Sequence, residues 1–183
     1  MTTTEITKTK WSIDPAHSEI GFKVKHLMIA NVKGTFKEFD AIIYTTGEDF
    51  TNAEIEISIK PASVETKDEK RDGHLKSVDF FDVESFKEIK FTASKYDTVS
   101  KGRESELYGD LTIKGIKKPI KLDVEFSGTA KDPWGNQKAA FIINGKINRK
   151  DLGLNWNAAL EAGGVLVSED VTISCEVQLV KQS

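Results

Sequence analysis

Between Arg71 and Asp82 the sequence reads RDGHLKSVDFFD, which sets Arg71, Asp72, His74, Asp79 and Asp82 beside the pair Phe80 and Phe81. Three chemistries fit those residue types: acid–base catalysis, metal ligation, or a polar clasp over an apolar surface. Adjacency in sequence does not bring a nucleophile, a base and an orienting group into mutual reach, so catalysis has no support from spacing here. Metal ligation fares no better. The only histidines are His17, His26 and His74, and no pair has the helical or strand spacing that turns two ligands to one face, so no metal site is expected. The clasp remains. The stretch TKDEKRDGHLKS, interrupted by Gly73, predicts a short helix after a strand that ends near Val64. Leu75, Phe80, Phe81 and Phe86 would form its apolar face, while Arg71 and Asp72 would tie it down through charge-assisted bonds.

Other reactive residues are few. The single cysteine, Cys175, alternates with Val171, Ile173, Val177 and Leu179, which makes it a core filler rather than a nucleophile, and it excludes an internal disulfide. There is no G-x-S-x-G element and no glycine loop able to cradle phosphate. The segment GIKKPIK reads as an exposed turn. No catalytic residue is assigned, and the protein is expected not to be an enzyme.

The elements that must position the clasp are strands. Period-two alternation of apolar and polar residues runs through SEIGFKVKH, AEIEISIK, PIKLDVEFSG, KAAFIINGKINR and EDVTISCEVQLVK. It is weaker in KGTFKEFDAIIYTT, EIKFTASKY and ELYGDLTIKG, where Gly34 and Gly109 suggest bulges or tight bends. Turn signals such as TTGED, SKGRE, IKGIKK and KDPWGNQ separate these runs. About eight amphipathic strands in an antiparallel meander predict an all-β fold, and closing the sheet into a barrel removes both edges, with a sandwich as the main competitor. The irregular segments, Glu65 to Phe86 and Lys150 to Ser168, are free to cap it. The expected organisation is a flexible tail over residues 1–10 and a single barrel domain over 11–183.

Composition narrows the partners. With 26 basic and 29 acidic residues the net charge is -3 and the pI about 5.7, which gives no basic field for nucleic acid. The opening MTTTEITKTK has no apolar leader and no later run approaches a membrane span, so a cytoplasmic location is expected. Transient membrane contact and a homodimer stay open.

Taken in order, WSIDPAHSEIGFKVKHLMIANVKGTFKEFDA, RDGHLKSVDFFDVESFKEIKFTAS, YGDLTIKGIKKPIKLDVEF and INRKDLGLNW resemble the YceI-like, polyisoprenoid-binding family from about Trp11 to Val180. The resemblance rests on Trp11, Ile13, Asp14, His17 and Ser18; on Gly34, Phe36 and Phe39; and on Arg71, Asp72, His74 and Leu75 followed by Asp79 to Asp82. It continues through Gly109, Leu111, Thr112 and Gly115 to Arg149, Asp151 and Gly153. Leu152 stands where the family's usual residue is phenylalanine. Many members carry a secretion signal, which this sequence lacks.

The resemblance implies an eight-stranded antiparallel, lipocalin-like barrel with a short helical cap and a long apolar tunnel for an isoprenoid chain, such as a polyprenyl lipid or quinone tail. It implies storage or transport with no cofactor beyond the bound isoprenoid or acyl lipid. The alternatives are a fatty-acyl amphiphile binder, an enzyme or accessory factor of isoprenoid or quinone metabolism, and a barrel filled by its own side chains. From the inward phase, Ile20, Phe22, Val24, Ile55, Ile57, Ile59, Phe91 and Leu111 are expected to line the tunnel, with Ile113, Leu122, Val124, Phe141, Ile143, Ile173 and Val177. Leu75, Phe80, Phe81 and Trp156 would form the cap, held by Arg71, Asp72 and His74. His26 or Arg149 would meet a polar head group.

Overall fold

The computed structural model describes residues 8–27, 29–47, 49–94, 98–101, 103–157 and 166–182. Strand β1 (Lys8–Ile13) begins inside the expected N-terminal tail, because Lys8, Thr9 and Lys10 already pair with another strand and Trp11 is fully buried behind them. A 3-10 turn at Pro15–His17 leads into β2 (Glu19–His26), followed by β3 (Ala30–Phe36), β4 (Phe39–Thr46) and β5 (Asp49–Ile59). The short β6 (Val64–Glu65) precedes the helix α1 (Glu69–Lys76). Then come β7 (Ile89–Ala93), β8 (Thr98–Lys101), β9 (Glu104–Ile113), β10 (Ile116–Lys131), β11 (Gln137–Asn148) and β12 (Val167–Lys181).

All pairings are antiparallel. The ring β1-β4-β5-β7-β9-β10-β11-β12 closes because β12 returns to β1, matching Trp11 with Lys181 and Ile13 with Leu179. This is the closed eight-stranded barrel that the alternation predicts, but it is not a plain meander. The earlier part of β12 pairs with β2, which pairs with β3, which in turn holds β6. So β2, β3 and β6 build a second wall beside the ring.

The corner that permits this step is held by side chains of the opening motif. Asp14 accepts from the Ala16 N–H at 3.1 Å, lies 2.8 Å from His17 Nδ1, and accepts from Lys138 Nζ of β11 at 2.6 Å. Ser18 Oγ accepts from the Gln178 N–H of β12 at 3.0 Å. The Lys138 ammonium, first among several partners, holds the Asp14 carboxyl below its ordinary value of 3.8.

Two expectations from sequence need correction. Gly34 and Gly109 are not bulges: Gly34 sits in regular register opposite Phe22, and Gly109 opposite Ile120, while the irregular steps fall between Tyr44 and Thr46, Phe126 and Gly128, and Val167 and Val171. Each of those two glycines lies under an aromatic ring. A Cβ on Gly109 would come within 2.5 Å of the Phe91 ring, and one on Gly34 would strike the Phe22 ring. Nor is GIKKPIK a turn. The turn is Lys114 and Gly115, both at positive φ, and Ile116 onward is β10. Pro119 is tolerated in that strand because residues 116–121 pair only with β9, leaving no ladder on the other side for its missing N–H to break.

Candidate functional site

Where β2 and β3 leave the ring, the barrel holds a cavity of about 520 Å³. Its apolar wall comes mostly from alternate residues of each strand. Ile20, Phe22 and Val24 of β2 face Val32 and Phe36 of β3, Leu111 and Ile113 of β9, and Val171 and Ile173 of β12. Ile59, Ile89 and Ile147 add to the strand contribution, as do Gly21, His26 and Val167. The period-two pattern puts hydrocarbon on this face because Lys23, Lys25 and Lys33 take the opposite one.

Of the residues predicted to line a tunnel, Ile20, Phe22, Val24, Ile59, Leu111, Ile113 and Ile173 stand in this wall. Ile55, Ile57, Phe91, Leu122, Val124, Phe141, Ile143 and Val177 do not; they pack in or against the hydrophobic core. Inward phase alone does not separate the two groups, since position along the barrel axis decides between them. The part away from the cavity is rich in aromatics: Trp11, Phe50, Phe126 and Phe141 stack with ring centroids between 4.9 and 6.0 Å apart. Trp11 donates to Thr45 Oγ1 at 3.0 Å, so its indole N–H is satisfied although fully buried.

Over the cavity lies the stretch that opened the sequence. Asp68 starts α1 by accepting from the Lys70 and Arg71 N–H groups at 3.0 and 3.1 Å, and the Arg71 bond lowers the pKa of its carboxyl. The helix itself buries no residue. It is fastened through Thr66, which is 5% exposed: Arg71 donates from Nε to Thr66 Oγ1 at 2.8 Å and from Nη2 to the Thr66 carbonyl at 2.7 Å. Asp72 accepts from the Thr66 N–H at 2.8 Å and from its hydroxyl at 2.5 Å. Thr66 is therefore the hub that Arg71 and Asp72 grip, and nothing in the sequence distinguishes it from a surface threonine.

Apart from Leu75 of α1, the apolar cover comes from beyond the helix. Leu75, Phe80, Phe81 and Trp156 all line the cavity, and Phe81 meets Phe36 edge-on at 5.8 Å. His74 also faces it; its Nε2 lies 2.8 Å from Asp79 Oδ2 and its ring stands edge-on to Phe80 and Trp156 at 5.1 and 4.6 Å. Phe86, expected in the same cover, packs instead beside Gly115 at the β9–β10 turn, and it does not line the cavity.

Two polar groups suggested for a head group differ sharply. Arg149 is 2% exposed, and its guanidinium donates to the carbonyls of Leu154 at 2.5 Å, Trp156 and Ser168 at 2.8 Å, and Val167 at 3.2 Å. Burial lowers its pKa. It ties the Trp156 segment to the start of β12, and although it too lines the cavity, four of its five N–H donors are spent on backbone carbonyls. His26, at the end of β2, lines the cavity, and its imidazole has no hydrogen-bond partner among the described residues. Leu152, in the place of the family's phenylalanine, is 1% exposed and fills the core. Cys175 is buried, does not line the cavity, and burial pushes its thiol up to about 11, which leaves it protonated at neutral pH.

Among solved structures, a YceI protein of Campylobacter jejuni shares 34% identity with this chain over 99% of it and all of its own length, with a TM-score of 0.72. A polyisoprenoid-binding domain from Saccharophagus degradans, implicated in plant cell wall breakdown, superposes with a TM-score of 0.62 over 94% of this chain and 98% of its own. Its identity is 15%, a likeness of fold alone. A UPF0312 protein of Staphylococcus aureus is 42% identical over 171 residues, 93% of this chain and 96% of that relative. The model of the YceI-like domain matches residues 11–179, the whole barrel from the buried Trp11 to the last buried leucine, and the protein belongs to that family.

Proposed function

We propose that the protein binds one long-chain isoprenoid lipid, a polyprenyl chain or quinone tail, in the cavity beneath the α1 cap, and that it stores or carries the lipid without turning it over. The observation that carries the reading is the wall: about 520 Å³ bounded mainly by aliphatic and aromatic side chains from β2, β3, β9 and β12, with Asp68, Lys70, Arg71 and Arg149 also in the lining, within the range of pockets that bury a small ligand. Each methylene taken from water into such a space contributes about 0.8 kcal/mol, so ten of them give roughly 8 kcal/mol before ordering costs. The neighbour from Saccharophagus degradans, whose fold this chain shares, is a polyisoprenoid-binding domain, and that supports the same ligand class. His26, a polar lining residue along with Asp68, Lys70, Arg71, His74 and Arg149, is our candidate to meet a polar head.

The test is native mass spectrometry of protein purified gently from its own host, followed by extraction of whatever co-purifies. One isoprenoid lipid per chain supports the reading. A fatty acid or its amide would keep the carrier and replace the ligand class, and empty protein that also rejects long prenyl probes would overturn both.

A further inference from the structure

The β2–β3 hairpin carries its exposed apolar residues at the turn, where turn chemistry calls for Asn, Asp or Gly. His26 pairs with Ala30 to close the strands, and between them Leu27 is 42% exposed and Ile29 86% exposed. Leu27 also holds φ at +55°, a left-handed conformation that bulky residues rarely adopt and asparagine accepts readily. The turn thus presents leucine and isoleucine to solvent at a conformational cost, a pattern associated with functional sites.

Behind the tip, on the outer face, stand three lysines. Lys23 lies directly opposite Lys33, a like-charge pairing that destabilises a sheet, and Lys25 follows toward the tip. None of the three has an ion pair among the described residues, while the acids at the neighbouring start of β12 are taken: Asp170 by Lys146 at 3.5 Å and Glu169 by Lys150 at 2.8 Å. The tip also adjoins the cavity. Val24, His26 and Val32 line it from the same hairpin, and the Leu27 N–H donates to the carbonyl of Leu166, another lining residue, at 2.8 Å.

We infer that this hairpin docks on an anionic lipid surface, inserting Leu27 and Ile29 at the headgroup level while Lys23, Lys25 and Lys33 face the phosphates, so that the cavity's rim meets the bilayer. Apolar tips flanked by lysines match such a surface, and each lysine near it strengthens attachment by about fivefold. The inference takes from the proposed function only that cargo passes between bilayer and cavity.

The experiment is co-sedimentation of the full chain with phosphatidylcholine vesicles and with vesicles containing phosphatidylglycerol, at low and high salt. The wild type should bind the anionic vesicles and lose binding as salt rises. Lys25→Glu combined with Lys33→Glu should weaken attachment by at least roughly tenfold. Leu27→Asn should weaken it too, while melting stays equal or rises because Asn suits that turn. Equal binding to neutral and anionic vesicles, or variants that sediment like the wild type, would overturn the inference. Capture of a detergent-solubilised prenyl probe is measured alongside: variants that take up the probe but not vesicles separate docking from cargo binding, and failure of the wild type to take up the probe counts against the cargo reading alone.

Discussion

At the scale of single residues, Thr66 decides whether the cap stays seated. Its hydroxyl and backbone serve both Arg71 and Asp72, so Thr66→Val would leave a guanidinium and a carboxylate short of partners in a half-buried setting. The expected loss is about 1–3 kcal/mol in denaturant unfolding. Asp14 makes a second case with a definite pH window. Its carboxyl is depressed in the folded state by Lys138, so the stability it adds is fully present above the ordinary value of 3.8 and fades as pH falls through the lower folded value. Asp14→Asn should therefore lower the melting temperature at neutral pH, with the gap to wild type closing in strong acid. A gap that persists unchanged at pH near 2 would contradict this account of the corner. Arg71, Asp72, His74 and the two phenylalanines were legible in the sequence as a clasp because charge and aromatics crowd one short stretch. Thr66 and the backbone-saturated role of Arg149 were not, since both depend on which carbonyls the fold brings near.

At the scale of elements, alternation revealed β2, β5, β7 and β9 to β12 and ran β3 and β4 together, while β1, β6 and β8 went unrecognised. What it could not reveal was where along a strand the filled core gives way to the cavity: Ile57 and Ile59 share one phase of β5, yet only Ile59 reaches the cavity. The glycines of β3 and β9 show the same limit. A glycine between apolar residues reads as a bend, whereas here Gly34 makes room for the Phe22 ring across the strand pair, and that ring lies in the cavity wall. Gly34→Ala should displace Phe22, cost about 1–3 kcal/mol of stability and reduce lipid uptake together. If calorimetry and uptake both match wild type, Phe22 is not held by that glycine.

At the scale of the molecule, the barrel joins a closed ring to a side wall. Pairing of β1 with β12 closes the ring, and the step from β1 to β2 at Asp14 lets the same β12 edge hold both. The closed barrel could be expected from about eight amphipathic strands, but the branching of β2, β3 and β6 could not, because it follows from one strand being long enough to pair with two. That branching opens the space over which α1 and the Phe80–Phe81 turn lie. The measurement that bears most directly on the central claim fills that space from within: titration of a long-chain prenyl probe into wild type and Val24→Trp, with melting followed in both. The cavity reading predicts about one probe per wild-type chain, and a folded variant in which binding falls by at least roughly tenfold. Equal binding by the two proteins would place the lipid elsewhere and contradict it.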